Sequence, residues 1–132
     1  AVYSDVCDSA GMREQTLVPA AKPLAGQSGV SIGWARTAVS TPVTDIPERP
    51  YGGEIDFIDS LNVGDVVVLD CSRKPVAERG ELFSTASVGR GARGAIIDGL
   101  IRDKRLIGKL NKFPVFGRGL RPTDSLGRVA IS

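Results

Sequence analysis

From residue 54 onward the apolar and polar positions alternate between two rhythms. EIDFIDSL (54–61) sets Ile55, Ile58 and Leu61 at helical spacing, and VGDVVVLD (63–70) follows as an apolar run of strand length. GELFSTASVGRG (80–91) reads as a helix with Leu82, Phe83 and Ala86 inward, closed by glycines. GAIIDG (94–99) is a short buried strand. DKRLIGKLNKF (103–113) places Leu106, Ile107, Leu110 and Phe113 on one helical face and is stopped by Pro114, and 114–117 and 127–132 are further strands. Before residue 54 the pattern is weaker. YSDVCDSAGM (3–12) is a short helix that stops at Gly11, and Leu17 to Thr41 has the Val-, Gly-, Ala- and Ser-rich texture of strands joined by tight turns. TPVTDIPERPYGG (41–53), with three prolines and two glycines, is a loop, and a loop of that length is either functional or locally mobile.

Strand, helix, strand, helix, strand from 63 to 117 is a βαβαβ pattern, which predicts an α/β fold with a partly parallel sheet and right-handed crossovers. Continuous apolar strands imply a sheet covered on both faces. In such sheets ligands collect beyond the carboxyl ends of the strands, here Asp70 onward, Asp98 to Asp103, and Gly117 onward. The 132 residues are expected to form a single domain.

Histidine is absent, and this count restricts the chemistry most. Without it there is no Ser-His-Asp or Cys-His nucleophile, no HExxH zinc site and no imidazole shuttle. Catalysis would fall to carboxylates, Lys, Arg, Tyr, Cys, backbone groups or a water on a metal, and the metal would be an oxygen-ligated hard cation such as Mg²⁺ or Mn²⁺. Cys7 and Cys71 have no CxxC partner and read as small buried hydrophobes. No apolar stretch approaches the roughly 18 residues a spanning helix needs, and no basic-then-apolar leader opens the sequence, so no membrane partner and a cytoplasmic address are expected.

The net charge of +2 is unevenly placed: residues 1–70 carry four Lys/Arg and ten Asp/Glu, residues 71–132 thirteen and five. Such asymmetry fits nucleic acid, an anionic ligand, or subunits that meet acidic face to basic face. With aromatics at 5% and no basic run interleaved with them, nucleic acid is the least favoured of the three. Trp34 reads as a core or interface aromatic. Gly89 to Gly94 (GRGARG) matches GxGxxG in letters, but a helix precedes it and a strand follows, the reverse of a dinucleotide fingerprint. Lys74 and Lys104 lie in no apolar stretch that would lower an amine for Schiff-base work.

The candidate chemistry gathers where GAIIDGLIRD ends. Asp98-Gly99 closes a strand, Arg102-Asp103 precedes a helix, and the helix at 80–91 opens with Gly80-Glu81, so the Leu82 and Phe83 amides point toward the same rim. Asp103 could ligate a hard cation, Arg102 could hold a carboxylate or enolate, and Glu81 adds a second carboxylate. Each also has an ordinary structural role: Asp103 as a helix N-cap, Glu81 as first-turn acid, Arg102 as partner of a neighbouring carboxylate.

GARGAIIDGLIRD, followed by a helix and FPVFGRG, resembles the heart of the RraA-like family. YSDVCDSAGM is similar to that family's first helix and NVGDVVVLD to its strand before the active-site loop. The aldolase branch is marked by an acidic residue, twenty intervening residues and Arg-Asp, and here Glu81, residues 82–101 and Arg102-Asp103 keep that motif. The resemblance implies a layered swivelling-type α/β/β domain. It implies a lyase that cleaves 4-hydroxy-4-methyl-2-oxoglutarate-type acids to pyruvate or decarboxylates oxaloacetate. Asp103 would ligate Mg²⁺ or Mn²⁺, Arg102 would hold the substrate, Gly80, Leu82 and Phe83 would frame its carboxylate, and Glu81 would position a water on the metal. It implies homotrimers or hexamers with sites at subunit junctions; the family's other branch, non-catalytic regulators, binds and inhibits a ribonuclease. Two departures stand out. Asp70-Cys71-Ser72-Arg73 replaces a Gly-rich turn and is expected to narrow the pocket. Family members also continue beyond the position of Ser132 with further strands and a carboxylate donated to the neighbouring site, a portion this sequence is expected to lack.

Overall fold

The computed structural model describes residues 1–17, 21–26, 30–71, 74–110 and 112–132. The elements run α1 (Val2–Ser9), β1 (Lys22–Ala25), β2 (Trp34–Pro42), α2 (Gly52–Asp59), β3 (Asp65–Asp70), β4 (Ala77–Arg79), α3 (Glu81–Gly89), β5 (Gly94–Asp98), β6 (Leu100–Ile101), α4 (Lys104–Ile107), β7 (Val115–Gly117), β8 (Gly119–Leu120) and β9 (Val129–Ile131). The six-stranded sheet has the order β1-β7-β5-β3-β2-β9, with β7, β5, β3 and β2 mutually parallel and antiparallel strands at both edges. The expected α/β architecture is therefore present, and the partly parallel sheet foreseen is mostly parallel. Val67, Leu69, Ala95, Ile97 and Val115 are buried on these strands, as their unbroken apolar runs require.

A second, parallel sheet of three short strands, β4-β6-β8, was not legible in the pattern. It arises because the chain steps from one sheet to the other across single residues: Gly99 separates β5 from β6, and Arg118 separates β7 from β8. The Arg118 amide donates to the Gly99 carbonyl at 2.8 Å, locking the two steps together. A Cβ at Gly99 would lie 2.5 Å from Cβ of Cys71, so only glycine lets the chain cross there.

Several expected faces differ from those observed. α3 buries Ser84 and Ser87, with Phe83 half-buried, and exposes Leu82 and Ala86. The reason lies beneath the helix, where the fully buried Arg79 guanidinium needs oxygen acceptors and takes the Ser84 and Ser87 hydroxyls. α2 buries Ile58 and leaves Ile55 exposed. The helix expected over 103–113 is only the four residues of α4; beyond Ile107 the Lys109 and Leu110 amides close three-residue turns onto Leu106 and Ile107. Those turns still deliver Ile107 and Phe113 to the core but leave Leu106 exposed. Trp34 is 81% exposed and no core residue, and Cys7 is half-buried on a helix with no buried residue, whereas Cys71 is buried as expected. Ser72 and Arg73, where a narrowed pocket was expected, lie outside the described residues. Among the described residues no helix is long and apolar enough to cross a membrane.

Candidate functional site

The small sheet organises the site. β4 ends at Arg79 and runs through Gly80, the N-cap of α3, while its neighbour β6 ends at Ile101 and runs into Arg102-Asp103. The Arg102 amide donates to the Arg79 carbonyl at 2.9 Å, which sets the two chain ends side by side. Asp103 sits at φ 58°, in the left-handed region, and makes no side-chain cap to α4, the helix it precedes. Its Oδ2 instead accepts the Glu81 amide of α3 at 3.1 Å. The capping role foreseen for Asp103 is thus real but serves the other helix. Gly80 is required by this approach: a Cβ there would lie 2.8 Å from Asp103 Oδ2 and 3.2 Å from Arg102 Nε.

Arg102 is held on two sides. Its Nη1 is 3.1 Å from Asp124 Oδ1, and its Nε is 3.6 Å from Asp103 Oδ2. The Tyr51 hydroxyl donates to the other oxygen of Asp124. Burial works against the Asp124 charge, but the Tyr51 hydroxyl, the Ser125 amide and Arg102 outweigh it and hold the carboxyl below its ordinary range. The hydrogen bond to Asp124, with burial, pushes the Tyr51 phenol up, so it remains a neutral donor. The Tyr51 ring meets Phe83 edge-on, centroids 6.0 Å apart at 70°.

Around these groups lies a cavity of about 210 Å³ lined by Tyr51, Gly80, Leu82, Phe83, Arg102 and Asp103, with Asp124 and Glu78 also contributing. The structure therefore brings together five of the six residues singled out from the sequence. Glu81 is the exception. It does not line the cavity, and its carboxylate accepts the Thr85 hydroxyl at 2.7 Å one turn along α3. The Glu81 amide is spent on Asp103, whereas those of Leu82 and Phe83, at the second and third helical positions, have no intrahelical acceptor. Tyr51 and Asp124 were missed. Tyr51 was signalled only by its Pro/Gly-rich loop, and Asp124 lies 73 positions further on, a pairing that no local pattern encodes.

Among the described residues no three His, Cys, Asp or Glu side chains converge on a metal position. The donors present are oxygens, and Asp103, with 38% of its side chain exposed, can serve one face of a cation. Mg²⁺ is commonly held by one or two carboxylates and completed by water and substrate, so the residues fit a hard, mostly hydrated cation and not a nitrogen- and sulfur-ligated one.

The family model described as RraA-like, Aldolase/RraA, matches residues 3–131. The chain belongs to the RraA-like family. No curated protein matches it. Among solved structures, this RraA-like chain is similar to one described as a novel cellulase from microbes associated with the gut ecosystem (29% identity, TM-score 0.81, covering 98% of this chain and 57% of that one). It is similar also to an uncharacterized protein from Pseudomonas syringae pv. tomato (24%, TM-score 0.77, 98% and 57%). A third is Streptomyces coelicolor RraAS2, an unusual member of the RNase ES inhibitor RraA family (20%, TM-score 0.74, 92% and 59%). The chain spans less than three-fifths of the length of each. The two likenesses below 25% identity show the fold.

Proposed function

We propose that this RraA-like protein is a divalent-metal-dependent lyase that cleaves or decarboxylates small 2-oxo acids to give pyruvate. One observation supports this above the others: Arg102, Asp103 and the opening residues of α3, Leu82 and Phe83, line one cavity of small-acid size. Asp103 would hold Mg²⁺ or Mn²⁺, and the cation supplies Lewis-acid polarisation of the 2-oxo group. The amides of Leu82 and Phe83, at a helix N-terminus, take the substrate carboxylate. Arg102 presents a planar fork to the carboxylate and to the oxygen on which negative charge grows as the carbon–carbon bond breaks, a charge-assisted bond that strengthens along the reaction. Glu81, which follows the cavity residue Gly80 but does not itself line the cavity, would order the water that returns a proton to the product carbon; histidine, the usual carrier, is absent.

The activity named for the gut-associated relative is not carried over. Glycoside hydrolysis needs two carboxyl groups free to act on opposite sides of a sugar, typically about 5–9.5 Å apart, and here Asp103 and Asp124 are both engaged with the Arg102 guanidinium. The deciding experiment is a coupled assay of pyruvate release from oxaloacetate. EDTA should abolish turnover above the uncatalysed rate, and Mg²⁺ or Mn²⁺ should restore it. Turnover that survives exhaustive chelation would remove the metal. A folded protein with no turnover that nonetheless binds a ribonuclease would replace the lyase with the regulator.

A further inference from the structure

We infer that Tyr51 is a positioning residue that, acting through Asp124, orients the Arg102 guanidinium over the substrate cavity; the inference deepens the lyase reading and rests on it for the reaction concerned. The Pro/Gly-rich loop has no role in the chemistry proposed so far, yet it ends by delivering Tyr51 to the cavity wall. Tyr51 is held at φ 56° and ψ 18°. A bulky residue is a clear outlier in the left-handed region, and it persists there only where surrounding contacts over-determine it. Among the described residues four non-glycine positions have positive φ, and two of them, Tyr51 and Asp103, line this one cavity.

The contacts that hold Tyr51 are those of the site. Tyr51 is the N-cap of α2 but makes no side-chain bond to that helix, so its hydroxyl does no local capping work. It donates instead to Asp124, which gives one carboxylate oxygen to Tyr51 and the other to Arg102 Nη1. Asp124 is itself fixed through its backbone, by a bridge to Ala77 of β4 and by the Arg128 side chain on its carbonyl at 3.2 Å. A carboxylate free to rotate would let the guanidinium swing. The Ser125 and Leu126 amides hold the Asp124 carboxylate from its own turn and the Tyr51 hydroxyl holds it from the opposite element, so that Arg102 is anchored at Nη1 by Asp124 and at Nε by Asp103. Two anchors on different edges define the plane of the fork, and supporting groups of this kind typically change activity by about 10–100-fold when removed. The Tyr51 ring, edge-on to Phe83, braces the first turn of α3, whose Leu82 and Phe83 line the same cavity.

The test is Tyr51→Phe, which keeps the ring on Phe83 and deletes only the hydroxyl, with circular dichroism as folding control. Two readouts are needed: kcat and KM for oxaloacetate with Mg²⁺, and solvent exchange of the Arg102 Nε–H by ¹⁵N NMR without substrate. Turnover should fall by about 10-fold or more, with the loss larger in kcat than in KM, because a misaligned fork loses more against the developing oxyanion than against a carboxylate it still reaches. Exchange at Arg102 should accelerate, and Asp124→Asn, which keeps shape and loses charge, should reproduce both effects. Wild-type exchange at Arg102 in Tyr51→Phe overturns the inference, and so does unchanged kcat. If the wild-type protein shows no lyase activity, the proposed reaction falls on that result, and the exchange measurement alone decides whether Tyr51 orients Arg102.

Discussion

Arg79 and Arg102 lie one hydrogen bond apart at the ends of neighbouring strands, and they do opposite things. Arg79 is 4% exposed, and among the described residues no carboxylate pairs with it. Its Nε donates to Ser84 at 3.2 Å and its Nη2 to Ser87 at 2.5 Å, and its guanidinium stands 5.9 Å from the centre of the Phe113 ring. Burial works against its charge and keeps the guanidinium out of reach of a ligand. Arg102, with 35% of its side chain exposed, has carboxylates on two edges and faces the cavity. The residue type is the same and the position nearly so. What separates structure from chemistry is how deeply the fold buries the guanidinium and whether hydroxyls or carboxylates flank it.

The sharpest way to break the comparison is to change each arginine in turn. Arg102→Lys should lower oxaloacetate turnover by about 10²–10³, roughly 3–4 kcal/mol of transition-state stabilisation, because an ammonium cannot reproduce the planar fork. Its thermal unfolding should stay close to wild type, since part-exposed ion pairs such as those to Asp103 and Asp124 contribute at most about 1 kcal/mol. A folded Arg102→Lys protein with full turnover would remove Arg102 from the mechanism. Arg79→Ala should do the reverse. It leaves a void beneath α3 and strips a cation from Phe113, and should cost about 2–5 kcal/mol in urea unfolding. Arg79→Met, which refills the volume without a buried charge, should recover most of that stability. If Arg79→Met instead abolished turnover in a stably folded protein, the division of labour drawn here would be wrong.

The same contrast explains what the sequence could show. The parallel core was legible because strands covered on both faces must be apolar throughout, and VGDVVVLD and GAIIDG carry that requirement locally. Arg102-Asp103 was legible because it combines three cues: a strand end, a helix start and the spacing to Glu81. The small sheet was not, since β6 and β8 are two-residue strands with no room for a period, visible only once Gly99 and Arg118 are seen to step between layers. Nor was the inward face of α3. Ser84 and Ser87 look like solvent-facing residues until a buried guanidinium five and eight positions from them is known to need their oxygens. Tyr51 and Asp124 meet only in three dimensions.

The smallest expected effect tests whether β4 keeps its two charges apart. Glu78 precedes Arg79, and the two buried side chains have different neighbours: Glu78 lies beside Ser40 and Cys71, Arg79 beside Ser84 and Ser87. Glu78 is 4% exposed, and burial pushes its carboxyl above the ordinary range, partly opposed by the Ser40 hydroxyl and the Cys71 thiol beside it; Glu54 and Asp70 push in the same direction as burial. The sign of the pH dependence follows from the raised value. The folded state binds this proton more tightly than the unfolded chain, so the contribution to stability is present in full below the unfolded carboxyl pKa of about 4.3 and is lost as pH rises through the higher folded value. At neutral pH the folded protein therefore carries the cost of burying an ionised carboxylate, or of keeping that carboxyl protonated, a cost that Gln does not carry. Glu78→Gln should raise the melting temperature at pH 7, and the difference from wild type should shrink as pH falls toward 4. Glu54, also buried and raised by burial, is left in place and keeps a residual slope of the same sign in both proteins. If Glu78 neutralised Arg79 instead, its replacement would strand a buried cation, and the variant would be less stable at pH 7 than wild type. That outcome would erase the distinction between a solitary structural arginine and a carboxylate-flanked one.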